Sequence, residues 1–135
     1  MPAPANPHKR DFFVYQFKVG TYPFYVGIGR AKRATDRLRY VQSLMVPKHA
    51  AKLAKKRLSV RVMAALLRRK IKIRLSRTNQ PMNRRQALER ERTEISRLVA
   101  RGFLLTNWQH NPFRHNDVRR AVKAILTQQG RKIIA

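Results

Sequence analysis

Residues 11–29 read DFFVYQFKVGTYPFYVGIG, and this stretch decides the fold class. Aromatic and β-branched residues dominate from Asp11 to Val19, the composition of a strand, and Gly20 ends it. Pro23 to Gly29 has the same character, and the short Gly20-Thr21-Tyr22 link joins the two as a hairpin. Tyr15 and Tyr25, ten residues apart across that link, are expected to lie near each other on the sheet. In an ordinary sheet such tyrosines are core aromatics with their hydroxyls at the rim. Gly27 and Gly29 weaken a strand interior, which implies that something approaches the backbone there. If the stretch forms a site, these glycines clear space beside Tyr25 for a substrate.

Past Gly29 the apolar period changes from two to 3.6. Ala34, Leu38, Val41 and Met45 fall on one stripe, predicting a helix over Ala31 to Met45 that ends before Pro47. The helical period resumes from Pro47 to Lys70, with Leu53, Val60, Met63, Ala64 and Leu67 facing inward. Outside that stripe lie Lys48, Lys52, Lys55, Lys56, Arg57 and Arg61. The plain reading makes this a solvated surface; the sharper one assigns Lys48, Lys52, Lys55 and Lys56 to nucleic-acid phosphates. Ile71, Ile73 and Leu75 alternate with Lys70, Lys72 and Arg74, predicting a short third strand with one basic face. A turn region with Asn79, Pro81 and Asn83 precedes a helix over Arg84 to Arg101, stopped by Gly102. Phe103 to Asn107 is extended, and Asn116-Asp117 caps a final helix reaching Gln129.

The order β-β-α-α-β-α predicts an α+β domain, a small, mainly antiparallel three-stranded sheet flanked by helices. Residues 1–10 read as a flexible lead-in, 11–110 as the domain, and 111–135 as a basic, helical C-terminal extension. At 135 residues and 43% apolar composition, the chain has material for one modest core and too little for two.

Thirty-two Lys and Arg against six acidic residues give a formal net charge of +26. A monomer so basic repels itself, and the partner expected for it is a polyanion. Nucleic acid fits best, because closely spaced phosphates reward many cationic contacts through counterion release. A membrane surface is not expected as a partner, since no segment joins a wide apolar face to an isolated basic one. The longest apolar span, Leu58 to Leu67, is too short to cross a bilayer and contains Arg61. No cysteine is present, which excludes disulfides and thiolate metal sites. The first ten residues lack an apolar signal region, so a cytoplasmic location is expected.

Glu91 breaks the pattern of its helix. It stands four residues after Ala87 and four before Ile95, on the centre line of an apolar stripe. A carboxylate there is costly unless it is paired or bound to a metal. Its partner could be a cation, or an arginine from another element. Glu89 and Glu94 fall off the line and suit surface pairing with arginines. Arg33 and Arg37 lie one turn apart at the start of the first helix and would point back toward the second strand. There an arginine could fork onto a phosphate and stabilise charge as it is hydrolysed.

In Phe13-Val14-Tyr15, Tyr25-Val26-Gly27-Ile28-Gly29, Arg33-Ala34, Glu89-Arg90-Glu91 with Ile95, and Leu104-Leu105-Thr106-Asn107, the chain resembles the GIY-YIG nuclease superfamily. The likeness covers roughly residues 12 to 108, and its weight lies in five elements occurring in family order. It implies an endonuclease that hydrolyses DNA phosphodiesters, with no small-molecule cofactor. One divalent cation, usually magnesium and alternatively manganese, would be held by Glu91. Tyr15 would activate water with Tyr25 in support, Arg33 would contact the phosphate, and Asn107 would brace the site. A lone carboxylate suffices for magnesium when waters and substrate phosphate complete the octahedron. Phe13 replaces the glycine of the first motif, and Arg37 stands where many members carry a histidine. Arginine cannot serve as a base. The competing function is a catalytically silent DNA- or RNA-binding module that keeps the fold. A ribosome-associated structural protein would fit the charge but leave Glu91 unexplained. Oligomeric state, DNA structure and pathway are not written in the sequence.

Overall fold

The hairpin of residues 11–29 forms the centre of a computed structural model that describes residues 9–107 and 117–128. Strand β1, Phe13–Val19, pairs antiparallel with β2, Tyr22–Gly29. Gly20, at φ 59°, opens the two-residue turn, the place where a tight hairpin asks for glycine. Strand β3, Arg74–Arg77, pairs antiparallel with the other side of β1, so the sheet order is β2-β1-β3. Helix α1, Arg33–Ser43, follows the hairpin. A short 3-10 turn, Pro47–His49, then leads into α2, Ala50–Ala54, and α3, Leu58–Arg68. Helix α4 spans Arg84–Ala100 and α5 spans Val118–Gln128. The molecule is the α+β domain the element order predicts.

Register explains the aromatic density. Tyr15 faces Gly27 and Phe17 faces Tyr25, but the register shifts after Phe17 so that Lys18 faces Pro23. The extra β2 residue is Phe24, and the bulge sets both Phe24 and Tyr25 against Phe17, with ring centroids 6.5 and 5.9 Å away. Phe17 and Phe24 are wholly buried.

Consecutive strand residues face opposite sides of the sheet. Helix α1 lies over the Tyr15 side, where Arg37 covers the Tyr25 ring. Helix α3 packs on α1, and α5 packs on α3 and β2. Helix α4 takes the other side, where Gln16 Nε2 donates to Glu94 Oε1 at 2.8 Å. Ala121, Val122 and Ile125 of α5 are fully buried in the same core as the sheet. The described part of 111–135 is therefore a layer of the domain rather than an appendage. Residues 1–8, the cap position Asn116 and the expected helix end at Gln129 lie outside the described residues.

Two elements differ from expectation. The helix read over Pro47 to Lys70 is interrupted at Lys55–Arg57, where three cations offer nothing to bury and Arg57 is extended. Restarting at Leu58 resets the phase, so Val62 and Leu66 are wholly buried while Leu67 is only partly so. The third strand begins at Arg74 rather than Lys70. Lys70 takes φ 58° and Ile71 N–H donates back to the Leu66 carbonyl at 3.0 Å, closing α3 in a Schellman motif. The alternation at 71–75 thus serves a helix end and the core margin, and Leu75, 39% exposed, decorates an edge.

Helix α4 starts as a capping box, Gln86 N–H to Asn83 Oδ1 at 2.8 Å and Asn83 N–H to Gln86 Oε1 at 3.1 Å. It ends at Gly102, φ 90°. Residues 103–107 then run along the free edge of β2. Thr106 N–H donates to the Phe24 carbonyl at 2.7 Å, and Leu104 N–H donates to the Tyr22 hydroxyl at 2.6 Å. That segment blunts an edge otherwise open to foreign strands. Among the described residues no helix is long and apolar enough to cross a membrane.

Candidate active site

Tyr15 is 3% exposed, and its ring leans across β2 directly over Gly27. A Cβ at position 27 would lie 2.6 Å from both the Tyr15 Cζ and Oη. At position 29 a Cβ would lie 2.3 Å from Arg33 Cγ. The glycines do admit a close approach to the backbone, but the approaching groups are side chains of the chain itself. The reading that they hold open space for substrate is corrected accordingly.

Above Gly27 the site is built from three side chains. The Tyr15 and Tyr25 rings lie 6.3 Å apart, and the Arg37 guanidinium sits 4.6 Å from the Tyr25 ring centre. Burial, then the neighbouring Tyr25, pushes the Tyr15 phenol above its ordinary value; Arg37 and Arg33 pull it part of the way back. Arg37 Nε is buried and has no hydrogen-bond partner among the described residues. The cation–π contact satisfies the face of the guanidinium but not that N–H.

Arg33, the first residue of α1, is exposed and borders a cleft of about 410 Å3 at the end of β2. Phe12 and Ile28 supply its apolar wall, and Arg30, Lys32, Arg33 and Arg84 its charge; among the described lining residues Asp36 is the one carboxylate, and Arg30 Nε donates to Asp11 Oδ2 at 2.8 Å. Arg30 and Lys32 flank Arg33 in sequence, yet nothing in a chain with 32 cations marks them out. Arg84 arrives from the first turn of α4, a meeting no local pattern announces.

Glu91 is half-buried on α4, and burial pushes its carboxyl above the usual carboxylate range. Among the described residues it has neither an ion pair nor a hydrogen bond, whereas Glu89 pairs with Arg85 and Glu94 with Arg97 and Gln16. Because α4 covers the Gln16 side, Glu91 belongs to the layer opposite the ring of Tyr15. It stands two helical turns from Arg84, about 10 Å along α4. Asn107 is fixed by two bonds to one residue of β2: its Nδ2 donates to the Val26 carbonyl at 2.7 Å, and its Oδ1 accepts from Val26 N–H at 3.1 Å. It thus pins the strand beside Gly27.

The structure therefore gathers Tyr15, Tyr25, Arg33, Arg37, Gly27 and Gly29 on one face, sets Asn107 at the β2 edge, and places Glu91 across the sheet. No group of three His, Asp or Glu side chains suited to a metal occurs among the described residues. A half-buried carboxylate without an ion pair is nonetheless a fitting donor for a magnesium or manganese ion whose other ligands are water and phosphate oxygens. Lys48, Lys52 and Lys55 are exposed and Lys56 is partly covered. The Lys52 and Lys56 ammoniums lie 6.0 and 5.2 Å from the ring of Tyr40, an exposed aromatic on α1 that the charge pattern concealed. Comparison of the chain with family models, curated proteins and solved structures finds no match.

Proposed function

We propose that the chain is a metal-dependent endonuclease that hydrolyses phosphodiester bonds in DNA. The observation that carries this reading is the Tyr15 hydroxyl lying over Gly27 with Arg37 beside it and the Arg33 cleft next to it. Phosphoryl-transfer sites need cations fixed where charge develops and a group that takes a proton from water. Arg33, with Arg30, Lys32 and Arg84 around it, would receive the phosphate; Tyr15 would accept the proton.

Arg37 cannot take a proton, but its charge beside the phenol favours tyrosinate against the cost of burial, which gives it a use in place of a histidine. Glu91 is the residue that would hold a divalent cation, which when bound supplies charge neutralisation and a lowered water pKa to a phosphate reached from the α4 side of the sheet.

A second reading, a DNA- or RNA-binding module without chemistry, is favoured by the position of Glu91 across the sheet from Tyr15. One assay separates them. Wild type and Glu91→Ala are incubated with supercoiled plasmid and branched DNA in magnesium. Nicking by wild type that falls at least 100-fold in Glu91→Ala supports the endonuclease. Equal nicking by both proteins, or none by either, removes it, and binding without cleavage favours the module.

A further inference from the structure

Between α2, α3 and the first turn of α5 lies a second cleft, of about 650 Å3, that shares no residue with the one beside Arg33. Its aliphatic lining includes Ala54 and Ala65, small residues that leave room between the arginines. Its rim carries Arg61, Arg68, Arg119 and Arg120. Arg61, Ala65 and Arg68 follow one another at helical spacing, so α3 presents aliphatic lining and rim on one face. Among the described residues Asp117 is the one carboxylate lining it, 4.0 Å from Arg120.

We propose that this cleft holds an unpaired nucleotide of a DNA strand, the base against the aliphatic lining and its phosphates on the arginine rim. The volume has room for one nucleotide, and the cleft joins aliphatic surface to arginines, whereas a duplex backbone asks for charge alone. Guanidinium is also the side chain that both forks onto phosphate and stacks on a base. The inference rests on nucleic acid being the partner, not on catalysis. It narrows the substrate to DNA with a flap, branch or single-stranded end.

The test is equilibrium binding of labelled DNA by fluorescence anisotropy without divalent cation, comparing a blunt duplex with the same duplex carrying a short single-stranded flap. Wild type should bind the flapped duplex roughly tenfold more tightly, the scale of one stacked base. Arg68→Glu with Arg119→Glu, both at exposed positions, should reduce that preference to about onefold. Arg74→Glu with Arg101→Glu, an equal charge change at exposed positions off the cleft, should keep it. Should the first pair disturb folding, Arg68→Gln with Arg119→Gln asks the same question. No flap preference in wild type, its retention in the cleft variant, or its equal loss in the control would overturn the assignment. Since cleavage is not read, a protein that fails to nick plasmid can still pass, and a nuclease can still fail.

Discussion

Gly27 and Tyr15 act as one unit at the residue scale: the strand position must be empty for the ring to lie down across it. Gly27→Ala forces a methyl to within 2.6 Å of the Tyr15 ring and hydroxyl, on buried, well-packed surroundings. The expected outcome is a loss of about 1–3 kcal/mol of stability from overpacking, seen by denaturant unfolding. Because the hydroxyl must move, any nicking should also fall at least tenfold under conditions where the variant is folded. Unchanged melting and rate would show that Tyr15 rotates away without cost. The glycines and the anomaly of Glu91 are legible because each breaks a local rule of its strand or helix, and the nearness of the two tyrosines because the short hairpin link sets it. The place of Arg37 against the Tyr25 ring and the Tyr15 hydroxyl is not legible in the sequence, since it depends on how α1 lies on the hairpin. Arg30, Lys32 and Arg84 were hidden by the sheer number of cations.

Helix ends are where elements diverge from their periodicity. Helices α3 and α4 finish with the same pair of bonds: Ile71 to Leu66 and Lys70 to Leu67 in one, Phe103 to Leu98 and Gly102 to Val99 in the other. One uses glycine in the left-handed position and the other uses lysine at φ 58°. A side chain there carries a steric cost that glycine avoids, partly offset by glycine's greater freedom when unfolded. Lys70→Gly should therefore stabilise the protein by about 0.5 kcal/mol, measured by chemical denaturation, with no effect on DNA cleavage. A loss of stability would mean that the lysine stem contributes packing the backbone does not reveal. The hairpin was legible because composition, turn residues and periodicity agree within 19 residues. The break at Lys55–Arg57 and the late start of β3 were not, because the 3.6-residue period runs on while the surfaces being buried change.

For the whole molecule, the net charge of +26 and the single core formed by sheet, α3 and α5 set the terms. The partner we propose is a polyanion, and the exposed lysines of the 3-10 turn and α2 are its candidate long-range contacts. Reversing Lys48, Lys52 and Lys55 to Glu should weaken duplex binding at least tenfold and flatten its salt dependence by about 0.9 in log–log slope per lost contact. Cleavage at saturating DNA should survive; unchanged affinity would mean that this face is merely solvated. The most direct test of the account joins the residue to the whole: single-turnover plasmid nicking in magnesium by wild type and Tyr15→Phe across pH 6 to 9. Since burial holds the Tyr15 phenol above its ordinary value, the wild-type rate should climb with pH throughout that range, approaching tenfold per unit. Tyr15→Phe should be at least 100-fold slower with a flatter profile. A Tyr15→Phe protein that nicks as fast as wild type, along the same profile, would contradict the account.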